Sequence, residues 1–255
     1  MWIVSIESIL DILSILNALN TLTTQMPSSI LLLNPNSSEQ VTEGLRSLVG
    51  NCSDDECSIT TQSAPPEAPR SIYDTASGVK SAMECYKRNY TQYDGVIVGC
   101  YSNHPLIPML RERYKYKQII GVLEASITAA LLSPARKFGF VTTSPHWIDE
   151  FGRAVGETLG IGANASDRYV GTTCSDFDVV ELRTAKESTV NAKLIHCAQD
   201  LVQRGANTVV LACAGMAGKS VYVQHQLRQL NSQRVDVIDG VQVAVDQMKM
   251  LVKML

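Results

Sequence analysis

Positive charge is not in surplus in this chain. Its 22 lysines and arginines stand against 25 aspartates and glutamates, a formal net charge of −3. That balance offers no electrostatic footprint for nucleic acid or for an anionic membrane surface. Histidine is scarce at four residues, and no cysteine–histidine cluster completes a metal site. Cys52 and Cys57 stand in an acidic, polar stretch with neither a second cysteine pair nor a nearby histidine, so it is expected to be a solvated loop. The seven cysteines also lack the paired spacings of a small secreted scaffold, and their odd number would leave one over. Several end or follow apolar runs, as reduced thiols of a cytoplasmic protein would. Residues 1–25 carry no basic segment of a secretory signal and no arginines of a transit peptide. Glu7 and Asp11 interrupt their apolar character, so no membrane span is expected there.

What is present is enough apolar material, 45% of residues, for a real core in one large domain or in two lobes. Ile3, Ile6, Leu10, Leu13 and Leu16 recur at helical spacing. Residues 1–27 are nonetheless expected to be an extension outside the core fold, with Met26 as an alternative start. The compact fold is expected to begin at Ile30–Leu33, an apolar strand that meets the turn-forming Asn34-Pro35-Asn36-Ser37-Ser38. Ser37 or Ser38 would cap a helix starting near Glu39. A proline-rich connection at 63–70 leads to a helix over 71–90, the strand Val96–Val98 ending near Cys100, and a helix with the basic residues Arg111, Arg113, Lys115 and Lys117. Then comes a strand, Ile119–Leu123, closing on Glu124.

The second half repeats this plan. Phe138–Val141 is a strand that ends in Thr142-Thr143-Ser144-Pro145, and a helix follows from His146. A short strand over 169–171, a helix over 181–203, a strand over 208–212 ending at Cys213, a strand over 235–238 and a last helix from Val241 complete it. Asn34 aligns with Thr142, Cys100 with Cys213, and Glu124 with Asp239, at similar intervals in both halves. Strands alternating with helices predict an α/β protein of two similar Rossmann-like lobes, each a short parallel sheet flanked by helices. Residues 28–125 with the C-terminal helix 241–255 would form the first lobe, and 126–240 the second. Ligands of such sheets lie beyond the carboxyl ends of the strands, where all six landmarks stand. A pseudo-twofold arrangement would bring them to one cleft.

A single cysteine ending an apolar strand is often core. Two at matched positions suggest chemistry. Thiols on opposite faces of a substrate carbon form a base and an acid, so that a proton removed from one face is returned to the other. Helix N-termini after each strand are expected to lower the thiol pKa toward neutrality. Backbone N–H groups there would stabilise an enolate-like charge. Neither metal nor organic cofactor is called for.

Asn34-Pro35-Asn36-Ser37-Ser38, Gly99-Cys100, Gly121-Val122-Leu123-Glu124-Ala125, Cys213-Ala214-Gly215-Met216 and Ile238-Asp239-Gly240-Val241, in this order, resemble the Asp/Glu/hydantoin racemase family, nearest its hydantoin and allantoin branch. The resemblance runs from Ser28 to the C-terminus. It implies a cofactor-independent isomerase in which Cys100 and Cys213 are the acid–base pair. Asn34, Asn36 and Ser37 would hold the carbonyl or imide of a small-molecule substrate, and Thr142 and Thr143 would line the opposite lobe. Ser102, Asn103, Glu124, Ala214, Gly215 and Met216 complete the expected substrate-binding set. The implied substrate is a cyclic ureide, allantoin before 5-substituted hydantoins, which points to nitrogen-compound metabolism and purine degradation. The preference also rests on the absence of a large aromatic cluster suited to a bulky side chain.

After the first cysteine the chain has Tyr101-Ser102-Asn103-His104-Pro105. That departs from the hydantoin pattern and leaves an Asp/Glu-type amino-acid racemase open, with His104 as a proton partner or a bystander. Decarboxylation and cis–trans isomerisation in the same superfamily also stay open, as do homo-oligomers and a non-catalytic two-lobed binding protein. The Gly218-Lys219-Ser220 run imitates a phosphate-binding loop, but Cys213 stands where that pattern needs its first glycine, and too little chain follows for a nucleotide domain.

Overall fold

The computed structural model describes residues 27–133, 137–163, 165–179, 181–230 and 234–254. The helical reading of residues 1–25 lies outside the described residues. The chain first forms β1 (Ser28–Asn34), α1 (Glu39–Val49), β2 (Cys57–Ser63), α2 (Thr75–Tyr86), β3 (Gly95–Val98), α3 (Leu106–Arg113), β4 (Gln118–Gly121) and α4 (Val122–Leu132). It then forms β5 (Phe138–Thr142), α5 (His146–Leu159), β6 (Tyr169–Cys174), α6 (Glu181–Thr184), α7 (Glu187–Gln203), β7 (Thr208–Leu211), α8 (Ser220–Leu230), β8 (Asp236–Asp239) and α9 (Gly240–Val252). The strands make two four-stranded sheets of order β2-β1-β3-β4 and β6-β5-β7-β8, parallel throughout. Each half is therefore the same α/β unit, and β1 and β3 occupy the places of β5 and β7.

Parallel strands covered by helices on both faces bury both sets of side chains, so they appear as continuous apolar runs. Leu31–Leu33, Val96–Val98 and Val209–Val210 are such runs, each wholly withdrawn from water. The edge strand β2 is different. Its Ser58-Ile59-Thr60-Thr61-Gln62 alternates exposed and partly covered residues beside β1, and no apolar run announces it. The stretch expected to be a solvated loop at Cys52 and Cys57 therefore contains a strand start, with Cys57 fully buried. Two helix boundaries also differ from expectation. The first helix of the 71–90 stretch starts only at Thr75, where Asp74 and Ser77 form a reciprocal cap. The 181–203 helix breaks at Ala185-Lys186 into α6 and α7.

The largest apolar cluster joins the two halves. Ile30, Leu32 and Ile97 from the first sheet meet Phe138, Phe140 and Val210 from the second through α4, α5 and α9. The C-terminal helix α9 lies on β1, β3 and β4 and against α4. Aromatic rings brace the second half: Phe140 lies 5.1 Å from Phe151 and 5.7 Å from Phe138, centroid to centroid, at steep angles. Edge-to-face pairs of this kind contribute about 0.5–1.5 kcal/mol each beyond their buried area. Two sheets that share a core this way hold their strand ends in a fixed mutual position.

Candidate active site

Cys100 and Cys213 each stand two residues beyond an inner strand of their sheet. Backbone pairing continues one residue past both strands: Gly99 N donates to Leu33 O at 2.8 Å, and Ala212 N to Val141 O at 2.8 Å. That extra rung sets each cysteine beside the end of the neighbouring strand, Asn34 in one sheet and Thr142 in the other. Both thiols line one cavity of about 350 Å³, at the lower end of the ~300–1,000 Å³ typical of small-molecule sites. Asn36, Tyr101, Thr142, Thr143 and Ala214 share its lining with residues 71–73, 176–179 and 181.

The thiols do not have the electrostatics expected of them. Burial pushes Cys100 up to about 11, against a smaller opposing effect of Ser102, whose Oγ lies 3.3 Å from Sγ. Burial pushes Cys213 up to about 12, opposed mainly by the Gly215 N–H, which donates to Sγ at 3.3 Å. Cys213 caps only a three-residue 3₁₀ turn, Ala214–Met216, and α8 begins seven residues later at Ser220. On the other side, α3 begins six residues after Cys100. The dipole of a full helix acts within its first turn, so neither thiol receives the acidifying field that the strand–helix pattern suggested. Behind Cys213, Arg183 Nη2 donates to Ala214 O at 3.1 Å and Ala217 O at 3.3 Å and favours the thiolate.

The expected substrate-binding residues divide into two groups. Asn36, Thr142, Thr143 and Ala214 line the cavity; Asn34, Ser37, Ser102, Asn103, Glu124, Gly215 and Met216 do not. Asn34 is fully buried, and its amide joins Asn36 Oδ1, Ser38 O and Thr42 Oγ1 while accepting from Asn36 N. It shapes the loop that presents Asn36. Ser37 Oγ donates to Ala68 O at 2.8 Å and anchors the proline-rich connection that leads to Ser71–Tyr73. Ser38 takes the N-cap position of α1 without a capping bond. Ser102 touches the Cys100 sulfur, and Asn103 Nδ2 reaches Glu157 Oε2 at 2.6 Å.

Glu124 lies three residues inside α4, because β4 ends at Gly121 and Val122 already starts the helix. Its Oε1 accepts from Gly121 N at 2.9 Å and from Arg111 Nη2 at 2.5 Å. The true counterpart of Asp239 is thus Gly121, since both are N-caps. Asp239 accepts from Val241 N and also from Gly218 N at 2.8 Å, tying the Cys213 loop to α9. Gly215 lies under the next segment, where a Cβ would come within 2.9 Å of Val179 O. Met216 is core.

His104 is also turned away. It is fully buried, accepts from Leu106 N at Nδ1 (3.3 Å), and lies 3.2 Å from Ser81 Oγ through Nε2. Burial lowers its pKa to about 4. It links the Cys100 loop to Pro35, whose carbonyl accepts from Ser81 at 2.5 Å.

Several lining residues had no sequence signal. Tyr101 lies inside the site with its hydroxyl held by Ser126 and the Gly240 backbone, and burial raises its pKa steeply. Tyr73, Trp147 and Phe177 also line the cavity, so the site is more aromatic than the sequence implied. Their positions, 30 to 100 residues apart, form no cluster until the chain folds. Asp176, Asp178 and Glu181 bring carboxylates to the same wall. Among the described residues no group of three histidine, cysteine, aspartate or glutamate side chains is placed to hold a metal ion, and no helix is long and apolar enough to cross a membrane.

Known proteins place the chain. An uncharacterised protein of Schizosaccharomyces pombe is 32% identical over 88% of this chain and 92% of its own. Among solved structures, an allantoin racemase from Klebsiella pneumoniae has the same fold with a TM-score of 0.73, at 22% identity over 89% of this chain and 88% of that one. An allantoin racemase from Pseudomonas fluorescens gives 0.71, at 20% identity over 89% and 91%. The model of the Asp/Glu/hydantoin racemase family matches residues 30–248. With a doubled parallel sheet and this span of match, the chain belongs to the Asp/Glu/hydantoin racemase family.

Proposed function

We propose that this protein is a cytoplasmic racemase of a cyclic ureide, allantoin first, in which Cys100 and Cys213 are the acid–base pair. The observation that carries the reading is the convergence of two thiols, from equivalent positions of the two sheets, on one small cavity. All seven cysteines are free thiols, in keeping with a reducing compartment. The fold shared with two allantoin racemases puts allantoin ahead of other 5-substituted hydantoins.

In this reaction one thiolate takes the proton from the ring carbon between a carbonyl and a nitrogen. The electron pair moves onto the carbonyl oxygen, and the thiol on the opposite face gives its proton to the same carbon. The two sulfurs exchange protonation states, and proton exchange with water resets them. A thiolate held near 11 or 12 is a rarer but stronger base than one in solution, which suits a weak carbon acid. Asn36, Thr142 and Thr143 supply donors to the developing oxyanion from both sheets.

The test follows racemisation and solvent-deuterium uptake for each enantiomer of allantoin and of a simple hydantoin. Cys100→Ser and Cys213→Ser should each abolish racemisation while leaving exchange of one enantiomer through the surviving thiol. Full racemisation by either single variant would end the two-thiol mechanism.

A further inference from the structure

The cavity wall carries three acidic side chains, Asp176, Asp178 and Glu181, and no lysine, arginine or histidine among the described residues. Outside the described residues the chain's single cation is Arg136. Two cations beside the wall are already engaged. Lys193 pairs with Asp176 at 3.0 Å, and Arg183 points its Nη2 at the carbonyls behind Cys213.

The acidic wall is also fixed in place. Glu181 N donates to Asp178 Oδ1 at 2.8 Å, and Asp178 N to Glu181 Oε2 at 2.9 Å, a reciprocal cap that starts α6. The segment then lies directly over Gly215, beside Cys213, so closely that a side chain on Gly215 would collide with Leu182 and the Val179 carbonyl. A substrate reaching the two thiols therefore has carboxylates on one side and, among the described lining residues, no lysine, arginine or histidine to face an anionic group. An α- or side-chain carboxylate would meet like charge at this wall, whereas an amide or ureido group can donate N–H to those oxygens.

We infer that Asp178 and Glu181 are specificity determinants that admit an uncharged, N–H-donating substituent and reject an anionic one. The substrate half of this inference rests on the cyclic-ureide reading; the charge half does not.

Two isosteric pairs separate these. The first pair is 5-(carbamoylmethyl)hydantoin and 5-(carboxymethyl)hydantoin, which differ in charge but hardly in shape. Wild-type kcat/KM for the carboxylate should fall on the order of tenfold or more below that for the carboxamide, about 1.4 kcal/mol or more. The second pair is iodoacetamide and iodoacetate, scored by the rate at which each alkylates Cys100 and Cys213 relative to a free peptide thiol. Here too the anion should be disfavoured about tenfold. In Asp178→Asn/Glu181→Gln both ratios should shrink to within about threefold. The amides retain the acceptor oxygens of the α6 cap, and the variant's melting temperature checks that they do.

Raising salt from 0.1 M to about 1 M shortens the screening length from roughly 10 to 3 Å and should narrow both wild-type ratios. This arm needs no variant. Loss of racemisation on every hydantoin, with the alkylation ratio intact, would refute the ureide reading and leave the charge selection standing. Equal handling of the two members of each pair by the wild type, or discrimination indifferent to both salt and the amide variant, would overturn the inference.

Discussion

Raising pH should keep switching the enzyme on past about pH 8.5, where the titration of a free thiol levels off. Cys100 and Cys213 stand at about 11 and about 12 because burial disfavours their thiolates. In the two-thiol mechanism proposed above the active free enzyme carries one thiolate and one thiol, and at pH 7 a group with a pKa of 11 is ionised in about one molecule in ten thousand. Each further pH unit multiplies that population about tenfold until the pH nears 11. Log kcat/KM should therefore climb with a slope near one from pH 6.5 to 9, a gain of roughly 300-fold, because kcat/KM reports ionisations of the free enzyme. The assay is the loss of circular dichroism of each allantoin enantiomer. Base-catalysed background is subtracted, and the substrate's own N–H ionisation is titrated separately and divided out. Cysteine alkylation by iodoacetamide against pH gives the same pKa values without any substrate. A plateau reached by about pH 9 would refute the reasoning, because local dipoles or Arg183 would then offset the effect of burial.

His104 makes acid the other vulnerable side. Its folded pKa, lowered by burial to about 4, lies below the ordinary value of 6.5. Between those values the unfolded chain binds a proton that the folded chain does not, so stability rises with pH across the window and is lost as pH falls through it. The full contribution is on the order of 3 kcal/mol. Urea unfolding at pH 7, 5.5 and 4 should show a shallower pH dependence in His104→Asn than in wild type; identical slopes would mean that His104 is not held neutral. Gly240→Ala should lower the melting temperature, because the new methyl would overlap Ser126 Oγ and the Tyr101 hydroxyl. Overpacking of this kind costs about 1–3 kcal/mol, more than the ~1 kcal/mol an alanine contributes to a helix over glycine. A variant as stable as wild type would contradict the close seating of Tyr101 on α9.

The doubled α/β plan was legible because its inner strands are buried on both faces and so stand out as apolar runs. Cys100 and Cys213 stood out for the same reason, since each closes such a run. Edge strand β2 went unseen because one side of it faces water and its residues alternate. Glu124 is not among the residues that line the cavity, for a local reason: Gly121-Val122-Leu123 is as apolar as a strand, but the backbone turns helical at Val122, and Glu124 caps that helix. Asn34 and Ser37 were singled out as substrate contacts, yet they hold the loop that presents Asn36.

What the sequence determined by itself is the repeated unit, the strand ends and the two thiols that stand there, because these follow from local periodicity and turn chemistry. What only the tertiary structure decided is the environment of those thiols. The aromatic and acidic wall is drawn from 71–73, 147, 176–179 and 181, residues distant in sequence that meet only when the two sheets share one core. The same closure leaves both cysteines only partly open to water, so burial raises their pKa where the strand–helix pattern alone had promised to lower it.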